Sequence, residues 1–146
     1  MSQRHLIRLL GDTRSQWFSL DRGGRVLSRA ADGLPTSAAE ETVVLVPSSE
    51  VLLLEAPRVA RQRRQLERAL PFAIEDQLVA PVEQAHVAVL DDSGSDTIAA
   101  AVLARASLEG WLARLAEQGM HADRLLPEGA VLPHDAGPTL LLDGTN

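Results

Sequence analysis

The chain has no cysteine, no lysine and no tyrosine. Without cysteine, disulfides and thiolate metal sites are excluded, and a reducing compartment is compatible with the composition. Without lysine, all 14 basic residues are arginine. The lysine of a P-loop, the strand lysine of a protein kinase and a Schiff-base lysine are therefore impossible within these 146 residues. Aromatic residues make up only 3%. The core must be built from Leu, Val, Ile and Ala, and nucleic-acid bases have little to stack on. Positive charge is in deficit as well. A net charge of −6 and a pI near 5.1 argue against a nucleic-acid binder, which needs a basic footprint. Long apolar runs are missing too. The longest, Ile98 to Ala104, is far too short to span a bilayer. The opening Met1-Ser2-Gln3-Arg4-His5-Leu6 lacks the pattern of a signal peptide.

What is present is ordinary for a folded, soluble domain. The chain is 45% hydrophobic and 23% charged, close to globular averages, and long enough for one domain or two small lobes. His5 to Leu10, Gln16 to Leu20 and Arg25 to Arg29 read as a three-stranded meander, with a tight turn at Asp21-Arg22-Gly23-Gly24. Val43 to Val46, stopped by Pro47, reads as a buried strand, and Val51 to Leu54 as another.

The spacing predicts a long helix over Arg58 to Val79. Its apolar stripe is Leu66, Leu70, Ala73, Ile74 and Leu78, with a kink or break at Pro71. His86 to Leu90 and Thr97 to Arg105 read as a hairpin around an acidic turn that begins at Asp91. Ser107 is the expected N-cap of a second helix over Leu108 to Gln118, stopped by Gly119. Asp123 to Leu126 reads as one more short strand. Residues 127 to 138 have linker composition, and Thr139 to Leu142 opens a fresh strand just before the chain stops, as a piece of a longer protein would.

The search for chemistry returns little. His5, His86, His121 and His134 have no second ligand at metal-binding spacing. There is no Gly-x-Ser-x-Gly elbow. The acidic turn lacks the spacing and distal glutamate of a calcium loop. Gly23-Gly24 has neither the spacing nor the helix of a dinucleotide fingerprint. No catalytic, cofactor or metal residue is assigned.

Two features stand out. Arg58, Arg61, Arg63, Arg64 and Arg68 cluster in a net-acidic chain, and on a helix Arg61, Arg64 and Arg68 would share one face. That face is either a solvated charged surface or a docking surface for an acidic partner or lipid headgroups. Phe72 is then expected in the core. Glu75 and Asp76 are expected at the surface or an interface, since adjacent helical residues point apart and cannot share an acid/base site.

The run Ala69-Leu70-Pro71-Phe72-Ala73-Ile74-Glu75-Asp76-Gln77-Leu78, followed by the strand at Val82-Glu83-Gln84-Ala85-His86-Val87-Ala88-Val89, then a hairpin and a helix, resembles the cytoplasmic region of the type II secretion system protein L family. The Gly11-Asp12 meander and Gly119-Met120 fit the same pattern, so the likeness covers most of residues 5 to 126. It implies an α+β fold: an actin-like ATPase, RNase-H-like lobe with a mixed sheet flanked by helices, truncated before the second lobe. Residues 1–126 would be the first lobe, with 1–46 its meander and buried strand and 51–119 an inserted β-α-β-β-α subdomain. Residues 127–146 would be a linker and the first strand of the second lobe.

The same likeness implies a non-catalytic adaptor on the cytoplasmic face of the inner membrane, its anchor and periplasmic part lying beyond Asn146. Its partners would be the secretion ATPase (protein E, through its N-terminal domain) and protein M, with a homodimer through an exposed strand edge also open. Arg61, Arg64, Arg68 and Glu75 are the expected partner-binding residues. The family's fold relatives hold phosphates in an Asp-x-Gly-type hairpin, where this chain has Gly11-Asp12-Thr13-Arg14. The alternative function, a degenerate actin-like nucleotide binder, would rest on Asp12 and on a second hairpin starting at Asp143-Gly144.

Overall fold

A computed structural model of the chain describes residues 2–11, 13–91 and 95–132. The expected strand at 139–142, the Asp143-Gly144 turn, Asp12 and most of the acidic turn lie outside these residues. The chain divides into two compact units, Met1–Ser48 with His121–Asn146 and Ser49–Met120.

The first unit carries a five-stranded sheet built from β1 (Arg4–Leu10), β2 (Arg14–Leu20), β3 (Val26–Ala30), β4 (Glu41–Val46) and β8 (Arg124–Pro127). Its order is β3-β2-β1-β4-β8. The first three strands are antiparallel, and β4 runs parallel to both β1 and β8. With this mixed sheet the α+β class expected from the sequence holds. Local chemistry makes the meander. At the β2–β3 turn the Asp21 carboxylate accepts from the backbone of Gly23 and Arg25, both at 2.9 Å. Gly24 there takes φ +83, a conformation that disfavours any side chain.

The alternation of β1 buries His5, Ile7 and Leu9, and the same face of β4 buries Thr42, Val44 and Val46. His5 lies opposite Ser19 of β2 and Thr42 of β4, so a row of small polar groups crosses an otherwise aliphatic face. His5, Ser19 and the nearby buried Ser15 each have a polar partner. Ser37 Oγ is 3.2 Å from His5 Nε2, Ser15 Oγ donates to the Gly33 carbonyl at 2.6 Å, and Ser19 Oγ donates to Gln3 Oε1 at 3.3 Å. Burying a polar group without such a partner costs on the order of 1–3 kcal/mol, and no buried side-chain polar atom is left unpaired among the described residues.

The second unit is a three-stranded antiparallel sheet, order β5-β7-β6, from β5 (Val51–Pro57), β6 (Ala85–Asp91) and β7 (Thr97–Ala104). Helix α1 (Arg63–Ala73) packs on it through Leu66 and Leu70, joined by Ile74, against Ala56, Val89, Ile98, Ala100 and Val102. Helix α2 (Arg105–Glu117) follows β7 without a loop and packs against β7 and β6, with Trp111 and Leu115 buried.

Three expectations change here. The first helix is half the expected length. Residues 58–62 are extended or bent, and the helix ends at Ala73. Pro71 does not break it at that residue; the helix continues for two residues and closes at Ile74, whose amide still donates to the Leu70 carbonyl at 3.2 Å. A proline near the end removes only one ladder bond. The second helix starts at Arg105, so Ser107 lies inside its first turn. Ser107 does not cap; its Oγ donates to Glu50 Oε2 at 2.9 Å. At the other end Gly119 does stop the helix. It takes φ +70, its amide donates to the Ala116 carbonyl and that of Met120 to the Leu115 carbonyl, the paired bonds of a Schellman turn.

Candidate docking surface

The surface is built on the solvent side of α1. Successive helical residues turn by about 100°, so residues four apart stack on one face. Leu66 and Leu70 are 0% and 1% exposed and fix which side faces the sheet. Arg64 and Arg68 lie on the opposite side and are exposed. Neither makes a hydrogen bond or ion pair with a described residue. Arg63, by contrast, is tied down: its Nε donates to Glu67 Oε1 at 2.9 Å, one turn ahead. Arg58 is used by the fold, with Nε donating to the Ser95 carbonyl at 2.7 Å and its amide to the Asp96 carbonyl at 2.8 Å.

Of the four expected partner-binding residues, only Arg64 and Arg68 therefore share a helical face. Arg61 sits in the bend before α1. Glu75 opens a separate 3-10 turn, Glu75–Gln77, after the helix has ended. All four are exposed.

Phe72 is the residue that the sequence reading misplaced. Expected in the core, it is 68% exposed. The reason is periodicity. Phe72 follows Arg68 by four residues and Arg64 by eight, so it extends the arginine face, while Leu70 and Ile74 on either side of it turn inward. The signal was in the spacing; counting Phe72 with the leucines by residue type hid it. Phe72 lines a hollow of about 330 Å³ together with Glu67, Glu83, His86 and Arg105. Burial holds the His86 pKa below its ordinary 6.5, and the neighbouring Arg105 cation lowers it further. At neutral pH this hollow therefore carries a neutral imidazole.

The face thus offers two unengaged guanidiniums and an exposed aromatic ring in one stripe. Arginine and aromatic side chains are the types enriched at the energetic centres of protein interfaces. Among the described residues no group of three His, Asp or Glu side chains is placed to hold a metal ion. No described helix is long and apolar enough to cross a membrane. Asp12, the acid of the expected phosphate hairpin, lies outside the described residues.

The family model for protein L of the type II secretion system matches residues 19–146. The chain belongs to the type II secretion system protein L family. Within that family it is 37% identical over 92 residues to protein L of Pectobacterium carotovorum subsp. carotovorum, covering 63% of this chain and 21% of that protein. It is 31% identical over 143 residues to protein L of Dickeya chrysanthemi, covering 90% of this chain and 35% of that protein. It thus spans about a third or less of these relatives' length. In structure it is similar to the cytoplasmic domain of EpsL, an inner membrane component of the type II secretion system of Vibrio cholerae. The TM-score is 0.75 at 23% identity, covering 92% of this chain and 61% of that domain. At that identity the likeness speaks for the fold.

Proposed function

We propose that this member of the protein L family is a non-catalytic adaptor that holds the cytoplasmic secretion ATPase to the inner-membrane platform, and that the outward face of α1 is its contact. Arg61, Arg64 and Arg68 supply the cationic part and Glu75 a flanking anion, with Phe72 as the apolar anchor between them. The observation that carries this reading is the exposed stripe Arg64–Arg68–Phe72, whose charges make no bond within the described chain. A guanidinium left free by the fold can pair a carboxylate of a partner in two-pronged geometry, and such complementarity sets partner choice and encounter rate. The protein would work at the cytoplasmic face of the inner membrane. Pairing with protein M, and any self-association, would belong to the longer protein.

The test is binding of the ATPase's N-terminal domain, followed by calorimetry. Reversing the three charges (Arg61→Glu, Arg64→Glu, Arg68→Glu) should abolish measurable binding while the circular dichroism spectrum is kept. Full affinity in that variant would remove α1 from the interface.

A further inference from the structure

The second unit has another unfilled surface, of opposite charge to the arginine face and meeting the hollow beside Phe72 at Glu83, Ala85 and Arg105. Past the end of α1, Ile74 and Leu78 still pack on the sheet, and the cover passes to the 78–85 segment. There a groove of about 630 Å³ opens between the start of β5, the 78–85 segment, the end of β7 and the first turns of α2. Its floor and walls are aliphatic. Leu52, Val79 and Val102 line it; Leu52 is 49% exposed and Val79 fully so, while Val102 is nearly buried at the base. Large aliphatic side chains held open to water in this way mark an interaction surface more often than a folding requirement.

The rim is acidic. Glu50, Glu83 and Glu109 stand around the aliphatic floor with Arg105 as the single cation. That cation is already committed: Nε of Arg105 donates to the Glu83 carbonyl at 3.3 Å and its Nη2 to the Ala85 carbonyl at 3.2 Å. It thereby pins the 83–85 backbone and does not neutralise a carboxylate. The Glu83 and Glu109 carboxylates make no ion pair with any described residue, and that of Glu50 receives only the Ser107 hydroxyl. An aliphatic trough with three carboxylates at its edge repels anions and is complementary to a cation with an apolar face.

We propose that this groove receives a basic amphipathic segment of a partner protein, with two or three large apolar side chains seated on Leu52, Val79 and Val102 and with arginine or lysine paired to Glu83 and Glu109. The open shape suits a chain segment laid along it, the helix-in-groove mode of recognition. The site is opposite in charge to the arginine face, which would select an acidic partner. One small unit would then carry two docking surfaces of opposite sign and could hold two partners, or two parts of one, at once.

The probes are a labelled helical leucine–lysine peptide and its leucine–glutamate counterpart, titrated into the isotope-labelled chain. Fluorescence anisotropy gives affinity and amide chemical shifts give position. The leucine–lysine peptide should bind, shift the amides of Leu52, Val79, Val102 and Glu109, and lose about tenfold or more in affinity in the Glu83→Lys, Glu109→Lys variant. The leucine–glutamate peptide should not bind. Both glutamates are exposed, so the variant should keep a dispersed spectrum; if it does not, Glu83→Gln, Glu109→Gln repeats the test with milder changes. Replacing Arg64 and Arg68 by glutamine should leave peptide binding unaltered, which separates this site from the α1 face. Equal binding of both peptides, shifts centred elsewhere, or undiminished affinity in the glutamate variants would overturn the proposal. So would a longer form of the protein in which its own following segment already fills the groove.

Discussion

Thr42 and Asp123 hold each other by two hydrogen bonds: the Asp123 amide donates to the Thr42 carbonyl at 2.9 Å, and the Thr42 amide donates to Asp123 Oδ2 at 2.7 Å. Residues far apart in sequence thereby set where β8 begins beside β4, and the parallel register from Val43–Arg124 to Val46–Pro127 follows. Thr42 is only 7% exposed, so its amide has little access to water. Asp123→Ala should destabilise the chain by about 1–3 kcal/mol, the cost of a buried donor left unpaired. Asp123→Asn, which keeps an acceptor oxygen, should lose clearly less. Chemical denaturation of the two variants side by side checks the order.

The second prediction contrasts neighbours on α1. Leu70→Ala removes a side chain packed among Ala56, Val89 and Ile98 and should cost about 2–5 kcal/mol, the transfer term plus the cavity. Phe72→Ala, two residues on, should change stability by no more than about 0.5 kcal/mol, as exposed substitutions do. A large loss at Phe72 in thermal or denaturant unfolding would contradict its exposed position.

The same Phe72→Ala variant should weaken ATPase binding. Truncating a central aromatic anchor typically costs about 2 kcal/mol or more, roughly a thirtyfold loss in affinity. Calorimetry with the ATPase's N-terminal domain measures it, and a loss in affinity together with unchanged stability is the expected signature.

A fourth prediction concerns pH. His5 is 1% exposed, and burial holds its pKa below the ordinary 6.5. The unfolded chain therefore takes up a proton at a higher pH than the folded one. The contribution of this group is fully present above about pH 6.5 and is lost as pH drops from there through the folded pKa. His86, lowered mainly by burial and then by Arg105, acts with the same sign. Denaturant midpoints should decline on acidification below pH 6.5, and His5→Gln should flatten that decline by removing one of the two contributing groups.

Much of this architecture was readable before any coordinates. Each strand of the meander is a short alternating run closed by turn residues, so the local signals at Gly11, Asp21 and Gly24 agree with the final sheet. Helix ends were less legible. The 58–62 stretch has helical composition, but the Arg58 amide donates to the Asp96 carbonyl and carries the β5–β7 ladder one residue past Pro57, so the chain is still extended where the helix was expected to begin. Ser107 has the chemistry of a cap, yet β7 passes into α2 at Ala104 and leaves it one turn too late.

The sequence by itself determined the class of the protein. Its apolar runs and turn residues specify an α+β chain, its lack of lysine and cysteine removes whole classes of chemistry, and the Ala-Leu-Pro-Phe helix marks the family. Only the tertiary structure decided which side of that helix is presented to a partner. Residue type says that a phenylalanine prefers to be buried, but the sheet beneath α1 is filled by Leu66, Leu70 and Ile74. The helical turn that seats those three leaves Phe72 on the outside beside Arg64 and Arg68. Which face is buried depends on what packs against it, and that is supplied by strands distant in the chain.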